Sequence, residues 1–266
     1  MTRSSVFSTT TRFLGALVGS LVLIVVIWSL FLLAFPDIGP IIGRTPIDVF
    51  EFLVSGSDAA SQRSAIFDDL WITLGDTGIG FVTGMVAAIV VAAVFVMFRP
   101  AAQTFMPLAM LLRSVPLVAM TPLITMIVGR GPACVAVMGG IIVFFPALVM
   151  IMTGLNNAPR QISDVITAYG GTRFTTMRMA SLPSAVPALF AAAKVSVPGA
   201  MIGATVSEWL GTNKGLGASL QQALPAAAYD ELWASVVVIT VSSIVLYAIV
   251  GVIENIVLAR MGTEPT

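Results

Sequence analysis

The stretch DVITAYGGTRFTTMRMASLP, residues 164–183, is polar, interrupted by glycines and carries two arginines, yet it lies between two oily runs. One run ends near Leu155 and the next begins near Pro187. The 266-residue chain around it is 58% hydrophobic and only 10% charged, with a mean hydropathy of +1.01. Soluble domains are about 45–50% apolar and about 25% charged, so this chain is read in membrane spans, and the polar stretch must lie outside them. Within and just before it, Ile162, Val165, Ile166 and Tyr169 fall at i, i+3, i+4 and i+7, an amphipathic helical stripe. Gly170 and Gly171 break the pattern, Phe174 and Met177 resume an apolar face, and Pro183 marks a further interruption. The expectation is two short helices with a bend, lying across the membrane face. Their apolar side rests on lipid or docks a partner; periodicity alone does not choose.

Working outward, a helix needs about 20 apolar residues to cross a bilayer. Six runs qualify. They are 13–35, 77–98 (with a start as early as Leu70), a third ending near Arg130, 133–155, 187–209 and 232–253. The third is the least regular: the sixteen residues between Arg113 and Arg130 are too few, and a start near Thr104 places Arg113 inside the span. The first run is longer than the about 7–15 residues of a cleavable signal core and no A-x-A site follows, so it is read as an uncleaved span. The predicted fold class is an all-α integral membrane protein with about six transmembrane helices. Its organisation is an N-terminal span and outer segment (1–69), a core of spans (70–260) and a short tail (261–266).

Basic residues orient the chain. With the N-terminus inside, Arg3, Arg12, Arg99, Arg160, Arg173, Arg178 and Arg260 are cytoplasmic, against Arg44, Arg63, Arg130 and Lys214 outside. Both termini, and residues 164–183, then face the cytoplasm. Net charge is zero and no basic block suggests nucleic acid. The absence of histidine excludes histidine triads, HExxH zinc sites and histidine proton relays. The single cysteine, Cys134, lies in an apolar run and reads as buried and structural.

Charges within spans are costly and face protein or water. Lys194, about two turns into its span, snorkels to the inner surface or lines a path. Arg113 pairs with an acid, caps carbonyls or attracts an anionic substrate. Glu208, near the outer end of the fifth span, is a solvated end, a gate or a receptor contact. Pro116, Pro122, Pro146 and Pro198 kink helices where neighbours or cavities satisfy the backbone. Arg113, Pro116, Pro122, Lys194 and Glu208 are the candidates for a translocation path or gate. GTNKGLG, residues 211–217, lacks the spacing of a phosphate loop and reads as a turn-rich outer loop.

Residues 164–183 resemble the cytoplasmic signature of ABC importer permeases: Glu-Ala-Ala, three residues, Gly, nine residues, Ile, one residue, Leu-Pro. Asp164-Val165-Ile166 occupies the Glu-Ala-Ala places with only the acid kept, Gly170 is the glycine, Ala180 takes the Ile place, and Leu182-Pro183 closes the motif in register. GGTRF at 170–174 resembles the Gly-Ala-Ser-Arg-Trp of the nitrate/sulfonate/taurine branch. TPIDVFEFL at 45–53, LLRSVPLVAMTPLITMIVGRG at 111–131, SEWLGTNKGLG at 207–217 and ELWASVVV at 231–238 resemble that branch in order along the chain.

The resemblance implies a type I importer fold, like that of the methionine permease, and a transmembrane permease subunit in the bacterial inner membrane. The implied cargo is a small polar solute: a sulfonate-, nitrate- or taurine-like anion, or a small heterocycle such as a pyrimidine. It makes residues 160–183 the coupling helices, with Asp164, Tyr169, Gly170, Gly171, Arg173, Leu182 and Pro183 contacting a cytoplasmic ATPase. The implied partners are a second permease copy, two ATPase subunits that carry the ATP and magnesium, an exported binding protein and the bilayer. The chain has no GxxxxGK[ST] loop of its own. Two rivals remain. A dimeric ion-coupled carrier needs ion ligands near mid-membrane, and an intramembrane hydrolase needs histidine or paired acids.

Overall fold

Hydrophobic length sets the architecture. The computed structural model describes residues 19–20, 22–35 and 42–261, apart from the side chains of Arg99, Leu112 and Arg113. Every regular element among them is helical. Four helices are long and apolar enough to cross a membrane: α3 (Ala59–Met97), α6 (Pro132–Asn156), α8 (Arg173–Thr212) and α10 (Tyr229–Met261). Two shorter apolar helices, α1 (Val22–Ala34) and α5 (Leu117–Val128), stand at the first and third predicted spans. The remaining elements are α2 (Pro46–Phe50), which runs on into a π-helical turn at Glu51–Ser55, α4 (Arg99–Arg113), α7 (Arg160–Ala168) and α9 (Leu216–Ala223). The start of the first predicted span, with Arg3 and Arg12, and the tail beyond Met261 lie outside the described residues.

By packing, the chain forms two units. One comprises residues up to 65 together with 223–234, and the other 66–222 together with 235 onward. The start of the last span thus groups with the N-terminal unit rather than with the core it runs into. In that unit the Trp28 and Trp233 rings stack at 5.1 Å, Trp233 Nε1 donates to the Ile42 carbonyl at 2.9 Å, and Arg44 pairs with Asp230. Thr45 and Asp48 close a reciprocal capping box at the start of α2, which satisfies amide donors the first turn leaves free.

In the larger unit α3, α6 and α8 meet through glycine. A Cβ on Gly80 would lie 2.9 Å from the Gly139 Cα, and one on Gly203 2.7 Å from the same atom. Three backbones therefore touch at Gly139. Membrane helices associate by such close approach, because lipid supplies no hydrophobic drive. Thr83 Oγ1 reaches the Ala136 carbonyl across the same contact at 3.1 Å. Below it, Ala88, Ala92, Val143, Ala147, Leu148, Ala192 and Ala200 are buried. Cys134 is buried as the sequence suggests, with Met138 Sδ 3.5 Å from its Sγ.

Two expectations are corrected. The third span is not one helix beginning near Thr104. It is divided between α4 and α5 at residues 114–116, with Pro116 in extended conformation as the N-cap of α5. Proline removes a backbone donor and disfavours helical geometry in the residue before it, so Arg113 closes a helix rather than sitting inside one. Second, Pro183 does not interrupt its helix. Residues Met177–Ser181 form a π-helical turn, in which the Leu182 amide bonds to the Met177 carbonyl. The wider turn admits the proline ring, and helix continues to Thr212. At 1.5 Å per residue this 40-residue run is about 60 Å long, roughly twice a bilayer's hydrocarbon core.

Candidate functional site

Sequence singled out two glycine-bearing turns, and the helix run α8 carries one at each end. At its start, α7 ends at Tyr169, and Gly170 adopts φ +79°. Nothing lies within 4 Å of a Cβ placed on Gly170, whereas one on Gly171 would fall 2.4 Å from Ile166 Cγ2 and 2.8 Å from the Ile166 carbonyl oxygen. The bend therefore needs Gly170 for its backbone angle and Gly171 for its space. At Gly170 the space is open, and the obstacle to a side chain is the left-handed φ. Thr172 and Thr175 then form a capping box that starts α8.

The stripe predicted for α7 is on the surface. Ile162 and Val165 are exposed, and Tyr169 is 90% exposed. Asp164 and Arg173 are exposed too, as are Phe174, Leu182 and Pro183. Arg173 Nη1 points at the Met97 carbonyl, 3.4 Å away at the end of α3. The segment thus presents an apolar helical face that this chain leaves uncovered.

At the far end of α8 the arrangement is inverted. Glu208 opens a second π-helical turn, Glu208–Thr212, and its side chain is 0% exposed. The solvated-end reading is therefore overturned: the π turn and the following loop fold over the carboxylate. Its Oε2 accepts from Thr73 Oγ1 at 3.0 Å and from the Gly217 amide at 2.8 Å. The Leu216 amide donates to Thr73 Oγ1 at 3.0 Å, and Ser219 Oγ bonds to Asp69. Thr73 has one hydroxyl proton, and the Asp69 carbonyl at 3.1 Å competes with Glu208 for it. Asn213 (φ 57°) and Gly215 (φ 85°) reverse the chain. A Cβ on Gly217 would sit 2.2 Å from the Thr205 carbonyl oxygen. GTNKGLG is thus a tight turn wrapped around a buried acid.

Lys194 does not reach for the membrane surface alone. It forms an ion pair with Glu254 of α10, and Glu254 is itself buried. Burying either charge unpaired would be costly. The backbone of Arg113 ends α4, its side chain being outside the described residues. Pro116 and Pro122 are exposed, Pro122 within α5. Neither is brought together with Lys194 or Glu208 by any described contact. Sequence reasoning missed Thr73, Asp69 and Glu254. The hydroxyl and carboxylates of these residues were ordinary in composition, and only the fold brings them to partners far away in the chain.

In the N-terminal unit, Arg44, Asp48, Glu51, Asp58, Gln62 and Asp230 line an open cleft of about 390 Å³ that is predominantly acidic.

Comparison with known proteins agrees with this architecture. The chain is 27% identical over 176 residues to a probable ABC transporter permease protein of Haemophilus influenzae, covering 66% of this chain and 72% of that one. It is 25% identical over 197 residues to the formylaminopyrimidine transport permease protein ThiX of Halalkalibacterium halodurans, covering 74% and 79%. It is 21% identical to the putative aliphatic sulfonates transport permease protein SsuC of Bacillus subtilis, covering 66% and 64%. In fold it resembles a chain of the inward-facing MetNI methionine ABC transporter, with a TM-score of 0.64 at 20% identity over 74% of this chain and 98% of that one. The family model for the binding-protein-dependent transport system inner membrane component matches residues 80–263, and the chain belongs to that family as a membrane permease subunit of an ABC importer.

Proposed function

We propose that this permease works as a symmetric pair with a second copy of itself, that its N- and C-termini and residues 160–183 face the cytoplasm, and that α7 and the Gly170 bend dock into a cytoplasmic ATPase that supplies ATP and magnesium. The observation that carries the docking role is the uncovered apolar face of α7, ending in the 90% exposed Tyr169. A helix leaves such a face bare when another surface completes it. Asp164, Gly171, Arg173, Leu182 and Pro183 share in the proposed contact, and the seven-to-four basic asymmetry supports the orientation.

The cargo is a small polar heterocycle of the pyrimidine type, ahead of a sulfonate-like anion. Two relatives named for formylaminopyrimidine and riboflavin transport are each 25% identical, against 21% for the sulfonate permease. The Lys194–Glu254 pair supports the same choice, because it neutralises a cation that would otherwise attract an anion within the membrane.

Proteoliposomes holding the permease, its ATPase and its binding protein test both parts. Labelled formylaminopyrimidine is expected to enter only with ATP and to be competed by other pyrimidines but not by taurine. Tyr169→Ser is expected to lose the ATPase on purification while the permease stays inserted. Uptake competed by taurine alone would overturn the cargo, and full retention of the ATPase by Tyr169→Ser would overturn the docking face.

A further inference from the structure

With an ionised acid, the buried turn at Glu208 holds more acceptors than protons to serve them. Three groups meet Thr73 Oγ1. The Leu216 amide donates to it at 3.0 Å. The Asp69 carbonyl oxygen lies 3.1 Å away and Glu208 Oε2 3.0 Å away. A threonine hydroxyl offers one proton and two lone pairs. Leu216 takes one lone pair. The single proton then serves Asp69 or an ionised Glu208, and the contact left over joins two acceptors with no proton between them.

One further proton completes the set. Placed on Glu208 Oε2, it is donated to the second lone pair of Thr73, and the threonine proton goes to the Asp69 carbonyl. The Gly217 amide still donates to Oε2 at 2.8 Å, because a protonated carboxyl keeps acceptor capacity. Every close polar contact at Thr73 and Oε2 is then a hydrogen bond. On Oε1 the proton would find no acceptor, since that oxygen is buried without a partner among the described residues.

The surroundings favour the same proton. Asp69 and Asp76 of α3 are the charged groups that act on Glu208, and both are acids. α5, α6 and α9 pack around the π turn or follow it, and the one titratable side chain they bring is Cys134. Arg130 and Lys214 are exposed, and neither forms an ion pair with Glu208 among the described residues. A bare carboxylate oxygen buried beside two acids is far costlier than a bare carbonyl oxygen.

We infer that Glu208 carries a proton in the folded permease, that its Oε2–H donates to Thr73 Oγ1, and that loss of this proton loosens the 213–217 turn. Glu208 is thus a positioning residue sensitive to pH: the turn is held while the proton is present and opens as pH rises. The inference depends neither on the cargo nor on the ATPase docking face, and it assigns Glu208 no contact with cargo.

Infrared spectra of the permease complex in lipid at neutral pH provide the test, because a neutral carboxylic acid and a carboxylate have different carbonyl stretches. The parent-minus-Glu208→Gln difference is expected to show one carboxylic acid band. It should lie at the high-frequency end, since Oε1 accepts no bond, and move down in heavy water. Carboxylate stretches alone would overturn the inference. If Glu208→Gln does not fold, Thr73→Val takes its place: it removes the acceptor of the proton at nearly constant volume, and the acid band should move to higher frequency. A spectrum unchanged by Thr73→Val would overturn the inference equally. The pH is then raised until the band is lost. Protection of the Leu216 and Gly217 amides from hydrogen exchange, corrected for intrinsic rates, should fall there about tenfold more than that of amides in α6. An equal fall at both places would overturn the switch, and so would a band that persists until the whole permease unfolds.

Discussion

The two ends of α8 solve opposite problems with the same residue. Around Gly170 the backbone turns through a left-handed angle in open space, and the neighbouring helix shows Ile162, Val165 and Tyr169 to solvent. Around Gly215 and Gly217 the backbone turns in a packed interior and closes over a carboxyl group. One end is an unfinished surface and the other a finished one. On the proposed docking role, the difference separates what others complete from what the chain completes itself: a second protein at the Gly170 end, and its own helices at the Glu208 end. Substitutions should therefore cost folding at the latter and assembly at the former.

The largest loss of stability is expected at Gly217. Any side chain there meets the Thr205 carbonyl, which is backbone and cannot swing aside. Gly217→Val should remove most of the folded, detergent-stable permease on size-exclusion chromatography. A normal monodisperse yield would show that the turn can reopen without cost, and the contrast between the two ends would fail.

An intermediate effect is expected between the ends. Lys194→Met leaves Glu254 buried and unpaired, and breaking a buried pair costs about 3–5 kcal/mol; the partial exposure of Lys194 places this one nearer about 2 kcal/mol. The double variant Lys194→Met/Glu254→Gln should recover most of that loss in a denaturant titration. If the double variant is as unstable as the single one, the pair is not what joins α8 to α10 there.

The smallest loss of stability, with a full loss of transport, is expected at Gly170. The left-handed angle costs a non-glycine residue about 1–2 kcal/mol, less for asparagine, and no atom clashes. Gly170→Val should insert normally yet lose ATP-dependent uptake, while Gly170→Asn should retain much of it. Equal uptake by the two variants would show that backbone angle is not what the docking segment requires.

Hydropathy made most of the fold readable, because a span is a local property of about 20 residues. The run at 133–155 and the helix Pro132–Asn156 agree almost residue for residue. The Gly170 bend was readable for the same reason: its cause lies in the two residues that form it. Pro116 was visible but its effect was not, since a proline kinks or ends a helix according to what surrounds it. The π turn before Pro183 depends on the burial of Met177, Ala180 and Ser181 against other helices. Glu208 was misread because its partner Thr73 is 135 residues away, and the partner of Lys194 was missed because Glu254 falls just beyond the predicted end of the last span. Polar satisfaction inside a bilayer is a long-range property, and periodicity carries no record of it.

The π turn at Met177–Ser181 has a consequence for insertions and deletions. It holds one residue more than an α-helical turn, so removing a single residue there would leave a continuous helix rather than a gap. The π turn already closes its extra residue within about one turn of helix, so the deletion would restore ordinary i to i+4 bonding with little rotation of what precedes it. In the regular α-helix on either side, the same loss would swing the preceding segment by about 100°. Met177–Ser181 is thus the stretch of α8 where a single-residue deletion is expected to be tolerated best.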